Sequence, residues 1–175
     1  MNRRLIAFSV LCAAVALPVA AQGAVAEVSP GLLPLLMRWA HVISAVVAVG
    51  GSFFIWLVLL PVAGRVLAPE QAGELRAAVT KRWAKFVHTC ILLFLVSGFY
   101  NYLVVTGPRH EGNGQYHMLF GIKFLLALVV FALAIILTSS KPWSAKFKQN
   151  PIYMTVLVVT ALVVVMLGGY MKLMP

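Results

Sequence analysis

Carboxylates are scarce in this chain of 175 residues, which has four acidic residues against fourteen lysines and arginines. They are Glu27, Glu70, Glu74 and Glu111, and none lies inside a long apolar run. Proton pumping through carboxylates and di-metal carboxylate chemistry both need acidic side chains in the apolar interior of a protein or of its membrane-spanning segments. The sequence argues against both activities.

Cysteine and the common catalytic motifs are also scarce. The two cysteines, Cys12 and Cys90, form no CxxC pair, so neither a disulfide framework nor a zinc site is indicated. The chain contains no GxSxG, no HExxH and no phosphate-binding glycine loop. No catalytic constellation emerges, which favours a binding or structural role over an enzyme.

Long apolar runs are what the sequence does contain. Hydrophobic residues make up 62% of the chain and charged residues 10%, whereas soluble domains are roughly half apolar and about a quarter charged. Each run reaches the length of about 20 residues that a helix needs to span hydrocarbon, and open strands are excluded there because their backbone groups would stay unpaired. The sequence therefore predicts an all-α, four-helix transmembrane bundle over residues 33–175, with helices at about 33–62, 86–105, 116–138 and 152–173.

Residues 1–26 have the pattern of a secretory leader. Arg3 and Arg4 precede an apolar stretch, and the segments Val19-Ala20-Ala21 and Ala24-Val25-Ala26 offer the small residues that a signal peptidase requires. Two interpretations stay open, a cleaved signal peptide and a signal anchor that forms a fifth helix. Both place the residues near Glu27 outside the cytoplasm.

The connections between the runs differ in charge. The connection between the second and third runs has a single basic residue, Arg109, whereas the two other connections are rich in them: Arg65, Arg76, Lys81, Arg82, Lys85, Lys141, Lys146 and Lys148. The positive-inside bias predicts a multi-pass protein of a bacterial-type inner membrane, with both mature ends on the periplasmic side. Its expected partners are the lipid bilayer and other membrane subunits. Nucleic acid is not expected, because no basic domain lies outside the membrane.

The connection between the first and second runs is expected to be partly helical. Pro69 and Glu70 suit a helix start, and residues 72–85 have no breaker after Gly73.

Three ionisable residues lie inside the predicted spans, where charge is costly and usually functional: Arg38, His41 and Lys123. His41 and Lys123 are expected at similar depths, roughly 12 Å and roughly 10 Å from the outer end, at 1.5 Å per helical residue. Arg38 lies one turn above His41 on the same face. Small residues recur at helical spacing from His41, namely Ser44, Ala45, Ala48, Gly51 and Ser52. Because small residues permit close helix approach, this face should point into the bundle.

Two kinds of site fit these residues. A copper site would use His41, Met37, His117 and Met118, because imidazole and thioether ligands suit Cu(I). A haem b site would use His41 and His117 for the iron, with Arg38 and Lys123 for the propionates. Spacing alone does not separate the two sites, since the ligands come from different helices.

The first and third helices resemble a known family. The segment Arg38-Trp39-Ala40-His41, followed by Gly50-Gly51, Phe54 and Pro61, resembles the opening helix of the copper resistance protein D (CopD) family. Tyr116, Lys123, Leu125 and Leu126 resemble that family's later Tyr-and-Lys helix. The same features resemble, more distantly, the HemJ-type membrane proteins.

The resemblance implies copper handling at or across the inner membrane, with His41 and Lys123 as the matching positions. The HemJ-type resemblance implies haem instead. Ala48 departs from the CopD pattern, where tryptophan is frequent, and CopD proteins have about twice as many helices. A role as an accessory or structural subunit of a larger membrane electron-transfer complex therefore stays open beside copper and haem.

Overall fold

The computed structural model describes residues 31–174, and within that range the chain forms helices and no strands. Four helices are long and apolar enough to cross a membrane. They are α1 (Leu32–Val66), α2 (Pro69–Thr106), α3 (Gly114–Thr138) and, after the short α4 (Ala145–Gln149), α5 (Pro151–Met171). The predicted leader, residues 1–26, lies outside the described residues.

Helix α2 is longer than the span expected at residues 86–105. It begins at Pro69 and continues for 38 residues without a break, so the helical connection and the span form one element. No proline interrupts this stretch after its first residue. At 1.5 Å per residue the helix is about 57 Å long, well beyond the hydrocarbon thickness of about 30 Å. Its basic first half therefore extends past the apolar layer.

Helix α1 contains two turns with the wider, π-type hydrogen bonding, at Val46–Gly50 and Ile55–Leu59. Pro61 follows the second of them and has no N–H to donate to the carbonyl of Leu57, which explains a local departure from regular α-helix. Gly51 follows the first and faces the indole of Trp83 on α2. The small-residue face of α1 thus points into the bundle, as the sequence predicts, and the helix it meets at Gly51 is α2.

The long helices pack side by side: α1 on α2, α2 on α3, α3 on α5, and α5 on α1 at Val46–Gly50. Helices adjacent in sequence run antiparallel. One end, called the outer end here, holds Leu32, Thr106, Gly114 and Met171; the other is the inner end. Ser44, Ser97 and Val158 are buried between helices, each 1% exposed.

The perimeter of the helices is apolar and exposed, as at Val46, Leu103 and Leu125. A soluble protein rarely exposes apolar side chains over so large an area, whereas a membrane protein places them against lipid. The fold therefore defines an all-α, multi-pass membrane protein.

Candidate functional site at the outer end

His41 is held against one face of α2. Its Nδ1 atom lies 2.9 Å from the hydroxyl oxygen of Ser97, and its ring meets Phe94 edge to face, with the centroids 5.2 Å apart. A Cβ on Gly98 would lie 3.4 Å from His41 Cε1, so the bare backbone there lets the ring approach closely. Phe94, Ser97 and Gly98 share a helical face. Together they fix the position of the imidazole.

Hydrogen bonding assigns the His41 tautomer. The hydroxyl of Ser97 donates its single proton to the carbonyl of Leu93, one turn earlier on α2. Ser97 Oγ must then accept a hydrogen bond from His41, which places the proton of the neutral imidazole on Nδ1. Nε2 of His41 is left with a free lone pair, the state required of a metal ligand.

Lys123 reaches from α3 towards α5. Its Nζ lies 2.9 Å, and its Cε 3.4 Å, from the position that a Cβ on Gly168 would occupy. The missing side chain at Gly168 therefore provides the room for the lysine. A Cβ on the neighbouring Gly169 would meet nothing within 4 Å.

Four basic residues at the outer end form a group that is called the outer cationic cluster: Arg38, His41, Lys123 and Lys172. Lys123 lies within electrostatic range of both His41 and Lys172. Lys172 lies within range of Arg38 as well. The acidic residues of the described chain are all exposed, and two of the three, Glu70 and Glu74, belong to the first turns of α2 at the inner end. The outer cationic cluster is thus a concentration of positive charge with no carboxylate packed into it.

The charge of Lys172 is a measurable property of this cluster. Partial burial lowers the pKa of Lys172, and the positive charge of Arg38 lowers it further. An Arg38→Gln substitution removes one cation, so we expect the pKa of Lys172 to rise. The pKa is followed by 13C NMR of reductively methylated protein in detergent, with Lys172→Arg used to assign the signal. Arg65→Gln, at the inner end of α1, should leave that pKa unchanged; an equal rise in both variants would show that Arg38 has no local effect.

His117 lies in an aromatic group at the mouth of the outer end. Its Nδ1 is 2.8 Å from the hydroxyl of Tyr102, and Tyr102 stacks on Phe120 with the centroids 3.5 Å apart. His110 stacks on the buried Tyr116 at 3.8 Å, and its Nδ1–H donates to the carbonyl of Thr106. The contacts of His110 join the loop between α2 and α3 to both helices.

The expected ligands His41, Met37, His117 and Met118 belong to the outer ends of α1 and α3. His41 and His117 bind Ser97 and Tyr102 of α2 respectively, and five residues correspond to about 7.5 Å along a helix axis. Met37 is half-buried one turn from His41, whereas the side chain of Met118 is 58% exposed.

The predicted copper site depends on histidine and methionine ligands within residues 31–174. No group of three or more His, Cys, Asp or Glu side chains in that range is arranged to hold a metal ion. A metal at His41 would need methionine ligands, or it would have to belong to a cofactor that supplies the remaining ligands.

Two contributors to the site were not predicted. Lys172 is a basic residue at the predicted outer end, and its departure from the positive-inside bias was an available signal. Gly168 provides the room for Lys123, and nothing in its local sequence pairs it with that lysine. Ser97 on α2 also contributes to the site, through its hydrogen bond to His41 on α1.

Comparison with known proteins found no matching family model, no matching curated protein and no matching solved structure.

Proposed function

We propose that this multi-pass membrane protein binds haem b in its outer half, with Nε2 of His41 as an iron ligand. The observation that carries the proposal is the hydrogen bond from His41 Nδ1–H to Ser97 Oγ, because it leaves Nε2 unprotonated and the ring fixed. Ligating histidines characteristically donate their other N–H in this way. A haem so held supplies one-electron redox chemistry.

The charge of the outer cationic cluster supports haem over a bare metal ion. Haem b carries two propionate carboxylates, which Arg38, Lys123 and Lys172 are suited to neutralise. A free Cu(I) ion would instead meet three positive charges and no carboxylate. The porphyrin would also provide four of the iron's ligands, so that His41 could hold the iron without a cluster of several protein ligands.

The buried hydroxyl of Ser44, near His41, needs a hydrogen-bond partner that the described residues do not supply. Ser44 lies three residues after His41 on the inward face and is 1% exposed. Its Oγ has no hydrogen-bond partner among the described residues. An unsatisfied buried polar atom costs about 1–3 kcal/mol. A cofactor or a water molecule that accompanies it would meet this requirement.

Copper handling is the second candidate, and Met37 is the observation that favours it. Met37 and His41 are four residues apart on one helix face, and Met37 is half-buried. A thioether and an imidazole suit Cu(I). The resemblance of α1 to the CopD family points to the same metal.

The charge pattern of the connections supports a bacterial-type inner membrane, with the outer end facing the periplasm. In that setting the protein acts alone or as one subunit of a larger electron-transfer assembly.

The visible spectrum and metal content of the purified protein test these functions. We expect a Soret band and a pyridine haemochrome that corresponds to about one haem b per chain, without stoichiometric copper. A colourless protein with one copper per chain would favour the second candidate. A colourless, metal-free protein that takes up neither added hemin nor Cu(I) would contradict both and leave the structural subunit role.

A further inference from the structure

A second cationic site lies at the inner end, far from His41. A cleft opens there between α1, α2, α3 and α5, with Arg76, Thr80, Lys148 and Asn150 among its polar lining residues. The rest of its wall is mainly apolar and includes Leu59, Trp83, Val87 and Leu157. The cleft thus combines a basic polar part with an apolar part.

The two cations of the cleft are held together by the backbone. The Arg76 guanidinium donates to the carbonyl of Lys148, and the ammonium group of Lys148 donates to the carbonyl of Ser139. Each side chain keeps further N–H donors, because a guanidinium has five and an ammonium three. Asn150 uses its side-chain oxygen to cap α5 at Ile152, which leaves an amide NH2 as another donor.

Among residues 31–174, no acidic side chain lines this cleft. Burial lowers the pKa of Lys148, and the neighbouring positive charge of Arg76 lowers it further. The half-buried ammonium of Lys148 and the exposed guanidinium of Arg76 repel each other, and an anion bound between them would stabilise both. The chemistry of the cleft therefore calls for a ligand with a negative head and an apolar body.

We propose that this cleft binds an anionic phospholipid, with the headgroup phosphate at Arg76 and Lys148 and the lipid's apolar part against the wall that contains Trp83. Three features select this occupant over a soluble anion. The walls are apolar, the cleft lies at the basic inner end of the helices, and basic pockets between membrane helices on that side characteristically hold anionic headgroups. Tryptophan at such a depth is also typical of the membrane interface.

Native mass spectrometry tests the proposal on the full chain, released from nanodiscs that contain equal amounts of phosphatidylglycerol and phosphatidylcholine. We expect retention of one phosphatidylglycerol per chain in preference to phosphatidylcholine. In Arg76→Gln/Lys148→Gln the apparent affinity should fall about thirtyfold, at about fivefold for each basic group near an anionic lipid. The matched control Arg82→Gln/Lys141→Gln removes two exposed charges of the same end that do not line the cleft, and should change affinity less than about twofold.

Two further arms separate the outcomes. Inorganic phosphate at millimolar concentration should not displace the lipid; full displacement would indicate a soluble-anion site and overturn the proposal. Equal loss in both double variants, or equal retention of the two lipids by the wild type, would also overturn it.

In the wild type, raising the salt to 0.5 M should weaken retention of phosphatidylglycerol but not of phosphatidylcholine, a readout that holds even when a variant fails to fold. The variants are compared only when they elute as single species with unchanged helical circular dichroism.

Discussion

His41→Ala is expected to abolish haem binding and to leave a folded, colourless protein. The His41 imidazole is the proposed iron ligand, and the Ser97 hydrogen bond and the Phe94 contact orient it and leave its Nε2 unprotonated. Without an axial ligand, the porphyrin keeps only its propionate and van der Waals contacts. Haem content should fall below about a tenth of the wild-type value, as measured by the pyridine haemochrome after purification in mild detergent.

His88→Ala is the matched control, because His88 is an exposed histidine nearer the start of α2 and should keep full haem content. Ser97→Ala should have an intermediate effect, a loss in haem affinity of about 10-fold to 100-fold, since it removes the partner that fixes the tautomer. A Soret band that survives in His41→Ala and disappears in His117→Ala would instead assign the iron to His117. Retention of haem in both variants would contradict the proposed site.

Gly51→Ala is expected to destabilise the protein by about 1–3 kcal/mol, the usual cost of overpacking. A Cβ at this position would overlap the Trp83 ring, lying 2.6 Å from Cζ2. Trp83 stacks against Phe86 with the centroids 5.9 Å apart, so a displaced indole would lose part of that contact. Either the indole or the interface between α1 and α2 must therefore shift. Because His41 on α1 binds Ser97 on α2, a shift of that interface should also weaken haem binding.

The neighbouring glycine provides the control for this prediction. A Cβ on Gly50 would meet nothing within 4 Å, so Gly50→Ala should be neutral or stabilising by up to about 1 kcal/mol, the helix preference of alanine over glycine. Unfolding by SDS in mixed micelles, followed by circular dichroism, measures both variants. A smaller ring in Gly51→Ala/Trp83→Leu should recover part of the loss. Equal midpoints for Gly50→Ala and Gly51→Ala would show that the contact with Trp83 carries no energetic weight.

The sequence by itself indicated the membrane-spanning character of the chain and the four long helices found within residues 31–174. Runs of about 20 apolar residues have one common outcome in a bilayer, because only a helix pairs every backbone group within its own segment. It also indicated the inward face of α1, since small residues recur at helical spacing from Ser44 to Gly51. In the structure Ser44 is buried and Gly51 meets Trp83 of α2. The start of α2 at Pro69 followed from local chemistry as well. The continuity of this helix into the membrane span was not predicted. The change from charged to apolar residues near Phe86 resembles a boundary between two elements, even though no proline lies there.

Only the tertiary structure decided which residues meet across the helices. His41 with Ser97, Lys123 with Gly168 and Arg76 with the Lys148 carbonyl are pairs from different helices or connections. Each depends on the rotation and depth of two elements at once, and periodicity within one helix carries no information about its neighbour. The outer cationic cluster is the clearest case: three of its members were visible as costly charges in the sequence, but their gathering with Lys172 is a property of the packed helices.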